Sequence, residues 1–103
     1  MAKAEGVFAP IIHAPHRLRI CAALDSVEQV EFATLREITD VSESVLSKQV
    51  KILEDAGYVT TTKGTRDSRV RTWASFTREG KRAYRSHVIA LRAIVEGDAN
   101  LPA

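Results

Sequence analysis

The sequence predicts a mainly α-helical domain carrying one small β-hairpin, an α+β fold in the order α-β-α-α-β-β-α. Three observations lead there. In Ser42–Val59 the apolar residues Leu46, Val50 and Leu53 fall at i, i+4 and i+7, the spacing of one buried helical stripe. After Gly57 the period drops to two through Tyr58–Lys63 and Val70–Phe76, with the polar, Gly-containing stretch Gly64–Arg69 between them. From Thr77 onward the helical period returns, with Tyr84, Val88, Leu91 and Val95 at i, i+4, i+7 and i+11 and Ala83, Ala90 and Ile94 widening the stripe.

At 103 residues the chain has the length of one domain. Its hydrophobic content of 45% and charged content of 27% are those of a soluble globular protein. No apolar run approaches the roughly 20 residues of a membrane span, and no signal-peptide core stands at the N-terminus, so a cytoplasmic protein without membrane contact is expected. Cys21 is the single cysteine, which excludes an intramolecular disulfide and a thiolate metal cluster. Among Leu18, Ala22 and Leu24 it reads as a buried thiol.

Taken in order, Met1–Gly6 is polar and expected to fray. Val7–Ile12 is apolar yet too short to fold alone, so it needs a surface to cover, on its own domain or on a second subunit. Pro15 suits a first helical turn, and Leu18, Cys21, Ala22 and Leu24 share a side, giving a helix over about Pro15–Leu24. Val27–Phe32 alternates like a short strand. Thr34, with Glu37 three residues on, has the form of a capping box for a short helix Leu35–Thr39 whose Leu35 and Ile38 turn inward. Asp40 and Val41 then form a turn. Ser42 caps the next helix by accepting from a first-turn amide, and Gly57 ends it in the left-handed conformation. Two short helices joined so closely make a helix-turn-helix. Thr77 caps a last helix of roughly Arg78–Glu96, although Gly80 stands where a capping box has Glu. Asp98–Ala103 is expected to be disordered.

At about 100° per residue, the face opposite Leu46, Val50 and Leu53 holds Ser44, Ser47, Lys48 and Lys51. Short hydroxyls followed by two lysines suit a helix laid against phosphates and base edges, whereas the bland reading is a solvated face. The net charge of +2 says little, but its distribution says more: Asp25–Glu43 carries a net −5 and Lys63–Arg85 a net +6. Such segregation favours an anionic partner on one surface. Ser44 and Ser47 are the candidates for base edges and Val45 for a thymine methyl group. Lys48, Lys51, Lys63 and Arg71 are the candidates for phosphates. The tip Gly64–Arg69 can deliver an arginine to a minor groove, where narrow walls focus negative potential.

In its Ile12–Ile20 segment, its LSKQVKILEDAGYV stretch, its basic hairpin and the FTREG that follows, the chain resembles the winged-helix transcriptional regulators of the MarR and ArsR type. The likeness is to the small variety whose first helix begins I-H-x-P-x-R-L-R-I, matched here by Ile12, His13, Pro15, Arg17, Leu18, Arg19 and Ile20, and it runs to about Val95. The resemblance implies a winged helix-turn-helix that binds double-stranded DNA as a homodimer, with Ser42–Lys51 in the major groove and the hairpin, or wing, at the flanking minor groove. Asp67-Ser68-Arg69 would be the wing's D-x-R element, its Asp steadying the hairpin while Arg66 or Arg69 enters the groove. The ends are shorter than in typical MarR proteins, leaving less room for an effector pocket at the dimer junction, and a small-molecule effector is left open.

No enzymatic or cofactor constellation is present in the sequence. His13 and His16 are close, His87 is far along the chain, and no acid cluster completes a ligand set, so helix-start or solvated histidines are expected. Trp73 reads as sheet packing rather than as a platform for bases. Tyr84, Val88, Leu91, Ile94 and Val95, with Val7, Phe8, Ile11 and Ile12, would leave a large apolar patch on a monomer, which a twofold dimer seated through residues 7–24 and 78–96 would bury. The expectation is a homodimeric transcriptional regulator reading an inverted-repeat operator. The alternative is a winged helix used as a protein-docking module in a larger assembly, approached through the Ser44–Lys51 face.

Overall fold

Residues 6–98 are described by a computed structural model. The elements are α1 (Pro10–His13), α2 (Pro15–Leu24), β1 (Val30–Glu31), α3 (Phe32–Thr39), α4 (Glu43–Asp55), β2 (Val59–Arg66), β3 (Arg69–Phe76) and α5 (Arg78–Asp98). The three strands form one antiparallel sheet in the order β1-β3-β2. Ile12, Ile20, Cys21, Leu24, Leu35, Leu46, Val50, Leu53, Val59 and Ala74 make one contiguous buried core, so every helix before α5 and the base of the hairpin share a single apolar centre. The fold is the expected one, with α1 added.

Of the apolar N-terminal stretch, Ile12 finds its surface on its own domain, whereas Val7, Phe8 and Ile11 stay exposed. Pro10 at the first position starts α1, and Ile12 is fully buried within this chain. It therefore does not belong to an exposed apolar seam. In α2 the inward residues are Ile20, Cys21 and Leu24, whereas Ala22, expected among them, faces out. Burial pushes the Cys21 thiol up to about 12. Since the thiolate is the nucleophile, Cys21 is expected to resist alkylation in the folded protein and to react only as denaturant unfolds it. Rapid labelling under native conditions would contradict that burial.

Three local expectations are corrected. Only Val30 and Glu31 pair, against Ala74 and Trp73, and Phe32 already opens a helix, so the strand expected over Val27–Phe32 is two residues long. Thr34 therefore lies inside α3 rather than at its cap, and the first residue outside the helix, Glu31, makes no side-chain cap. Ile38 faces solvent; its inward place is taken by Thr39, whose hydroxyl donates to the Leu35 carbonyl (2.7 Å) and so is satisfied while buried. The helix ends in Asp40, left-handed at φ +54°.

The boundaries of α4 follow the sequence. The Ser42 hydroxyl accepts from the Val45 amide (3.2 Å). At the other end the Tyr58 amide donates to Leu53 and the Gly57 amide to Glu54, with Gly57 at φ +82°, the paired bonds of a Schellman stop. Leu46, Val50 and Leu53 are fully buried, as their spacing predicted.

In the hairpin, the ladder runs from Val59↔Phe76 out to Arg66↔Arg69. The expected six-residue turn Gly64–Arg69 is thus only Asp67-Ser68, both at positive φ (53° and 63°), the type I′ geometry whose twist matches a hairpin. Gly64 is a strand residue, and an added Cβ there would sit 3.0 Å from the Trp73 ring. Trp73 packs on the sheet, as expected.

Thr77 joins α5 to the end of α4. Its hydroxyl donates to the Gly57 carbonyl (2.7 Å) and accepts from the Gly80 amide (2.9 Å), while its own amide donates to Tyr58. The helix continues to Asp98, one turn's fraction beyond the expected Glu96, so the disorder expected from Asp98 does not hold at that residue. Residues 1–5 and 99–103, the remainder of the ends expected to be frayed or disordered, lie outside the described residues. Among the described residues no helix is long and apolar enough to cross a membrane.

Candidate nucleic-acid interface

Burial of Leu46, Val50 and Leu53 leaves Ser44, Val45, Ser47, Lys48 and Lys51 exposed along the outer side of α4. Ser42 is also exposed, but its hydroxyl is occupied as the cap and touches the Ser44 hydroxyl (3.2 Å). Lys51 reaches Asp55 one turn on (3.0 Å), and that carboxylate raises the lysine's pKa, holding it charged. A contact so open to water exchanges readily for a phosphate.

The ladder register divides the wing's basic residues between two faces. Successive strand residues alternate, so Arg66, Arg69 and Arg71 fall on one face with Trp73, and Lys63 falls on the other with Thr72 and Ala74. Arg66 and Arg69 are the exposed pair flanking the turn. Arg71 is different. Its guanidinium donates to Glu31 (2.9 Å), which also lies 3.9 Å from Arg66, and the Arg71 Nε is buried without a protein partner. Arg71 is thus half-buried and paired with Glu31, whereas Lys48, Lys51 and Lys63 are exposed. The signal was in the sequence only as a long-range possibility, because nothing local shows that Glu31 will pair beside β3.

The acidic and basic segments are therefore not fully separated in space. Glu31 meets Arg71, and Asp25 accepts from Arg85 (3.1 Å) on α5. The cations of Lys48, Lys63 and Arg69 have no such acid among the contacts of the described residues.

Helix, turn, helix and wing are thus joined to one core. A family model for winged helix DNA-binding domains matches residues 16–95. The chain belongs to the winged helix DNA-binding domain family. An uncharacterised protein of Methanocaldococcus jannaschii is 32% identical over 72 residues, covering 70% of this chain and 78% of that one. Among solved structures, a transcriptional regulator homologue from Pyrococcus horikoshii superposes with a TM-score of 0.78 at 28% identity, covering 84% of this chain and 86% of that one. Streptococcus pneumoniae FabT, solved in complex with DNA, shares the fold at a TM-score of 0.63 and 16% identity, over 90% of this chain and 68% of its own. The winged helix described here is accordingly of the small transcriptional-regulator type that its motifs resemble. In this winged helix α4 occupies the place of the second helix of the helix-turn-helix, and β2–β3 is the wing.

One histidine departs from expectation. His87 is fully buried, and its Nε2 lies 3.2 Å from His13 Nδ1, so two rings 74 positions apart in sequence are brought together. Among the described residues no three His, Cys, Asp or Glu side chains cluster as a metal site.

Proposed function

We propose that the protein is a homodimeric transcriptional regulator that reads an inverted repeat in duplex DNA through α4 and the β2–β3 wing. The observation that carries this reading is the two-sided character of α4. Its apolar stripe is fully buried while Ser44, Val45, Ser47 and Lys48 stand free on the other side, capped at Ser42 and stopped at Gly57. A capped, core-anchored helix holds its outer side chains in fixed register, which major-groove readout requires. Family membership and the DNA complex of the FabT relative support the same partner.

Dimerisation follows from apolar surface. Val7, Phe8, Ile11, Ile89, Ile94 and Val95 are all exposed on the N-terminal segment and α5, while Tyr84, Val88 and Leu91 are half-buried. A twofold pairing through this seam would set two α4 helices about one DNA turn, roughly 34 Å, apart.

The test is selection from random duplexes followed by titration at several salt concentrations. Selected sites should be inverted repeats, the protein should sediment as a dimer, and Lys48→Ala should reduce the log–log salt slope by about 1. Binding of equal strength to every duplex, with Lys48→Ala without effect, would reject the reading.

A further inference from the structure

The segment Gly6–His13 lies along α5, held by four contacts. The Val7 amide donates to the Ser86 hydroxyl (2.8 Å), and the Ala9 amide donates to His87 Nδ1 (2.9 Å). His87 Nε2 meets His13 Nδ1 at 3.2 Å, and the Phe8 ring centroid lies 4.7 Å from those of both imidazoles. The backbone approach is close enough that a Cβ on Gly6 would fall 2.2 Å from the Ser86 carbonyl oxygen.

These bonds fix the protons. A ring nitrogen that accepts an amide N–H carries no proton, so neutral His87 bears its hydrogen on Nε2 and donates it to His13 Nδ1; His13 then holds its own on Nε2. A further proton has two places to go. On His87 Nδ1 it would displace the Ala9 amide, and on His13 Nδ1 it would face the His87 N–H. Either way one of the two bonds that fasten the segment through His87 is lost. The same bonding argues against a metal on His87 Nε2, because a ligating imidazole donates through its other nitrogen, and here that nitrogen accepts.

We propose that the His13–His87 pair is an acid-released latch, in which uptake of one proton weakens the hold of α5 on residues 6–13. His13 comes from α1. From α2 come His16 and Arg17, the latter bonded to the Ile11 carbonyl and to the neutral Gln49 of α4; on α5, Arg85 is drawn to Asp25. Among the described residues no carboxylate forms an ion pair with either imidazole. Burial and the neighbouring His13 both lower the His87 pKa from 6.5, so the docked segment binds protons less well than the free one. Docking is therefore complete above about pH 6.5 and weakens as pH falls below it, tenfold per unit for one proton, until the lowered value is passed.

The test is amide hydrogen exchange, scored as protection factors, on the wild type and on the double variant His13→Gln, His87→Gln between pH 8 and 5. Glutamine at position 87 supplies both an acceptor for Ala9 and a donor for position 13, and neither glutamine titrates. In the wild type, protection of amides 7, 9, 12 and 13 should fall as pH drops below about 6.5, by up to about tenfold per unit, while α2–α4 keep theirs, and in the double variant it should not change. Unchanged wild-type protection, or the same loss in the double variant, overturns the latch. If the double variant does not fold, the imidazole signals of the wild type decide: they must titrate together with the loss of protection, and loss without their titration overturns it. The readout does not depend on DNA binding, and because Val7, Phe8 and Ile11 also stand in the proposed dimer seam, both proteins are compared at one concentration and one association state.

Discussion

Gly80→Ala is expected to lose about 2–3 kcal/mol of folding stability, read as a lower urea midpoint at unchanged m value. Gly80 lies in the first turn of α5 against the corner where α4 meets β2, and an added Cβ would stand 1.9 Å from the Tyr58 carbonyl oxygen and 2.7 Å from its carbon. Those are backbone atoms, so no side chain can rotate out of the way. Relief would require α5 to back off, breaking the Thr77 bonds to Gly57 and Gly80 that fix its start. The helix-propensity gain of alanine over glycine, about 1 kcal/mol, opposes the clash but is smaller. Gly97→Ala is the control, since nothing lies within 4 Å of a Cβ there; it should be neutral or slightly stabilising. Equal stability of wild type and Gly80→Ala would show that the corner has slack.

Reversing both exposed wing arginines, Arg66→Glu with Arg69→Glu, is expected to weaken binding to the selected duplex on the order of a hundredfold or more. Each guanidinium placed in a groove is worth about 1–3 kcal/mol, and the reversed charges repel phosphates. The two side chains flank a two-residue turn and are exposed, so circular dichroism and the unfolding midpoint should stay close to wild type. A loss below threefold at low salt would mean that the hairpin tip does not touch DNA. Arg71→Ala should separate itself from this pair by lowering stability, because it leaves Glu31, a largely buried carboxylate, without its 2.9 Å partner.

Much of this was legible in the sequence because the signals were local and redundant. Ser42, Gly57 and Thr77 each mark a boundary through their own side chain or backbone freedom, and the stripe Leu46, Val50, Leu53 is set by period alone. The misreadings have a common physical source. Thr34 and Glu37 have a capping box's spacing, but pairing of Val30 and Glu31 with β3 lets the helix start earlier, at Phe32. Gly64 suggested a turn, whereas the packing of Trp73 accounts for a residue without a side chain in mid-strand. The site was read in the same proportion. Exposure of the α4 residues followed from the period, but the pairing of Arg71 with Glu31 and of His13 with His87 depends on contacts 40 and 74 residues apart. Gly80 had looked like a defect in a capping box; the nearness of the Tyr58 carbonyl supplies its reason.

Arg17 spans two distant parts of the molecule. Its Nε donates to the Ile11 carbonyl and its Nη1 to Gln49 Oε1 (2.7 Å), the residue following Lys48. A guanidinium is one flat rigid plate, so its two ends cannot move independently. Displacing the N-terminal segment must either break one of these bonds or tilt the plate and carry the shift to Gln49, giving this small protein a lever between its amino-terminal edge and α4.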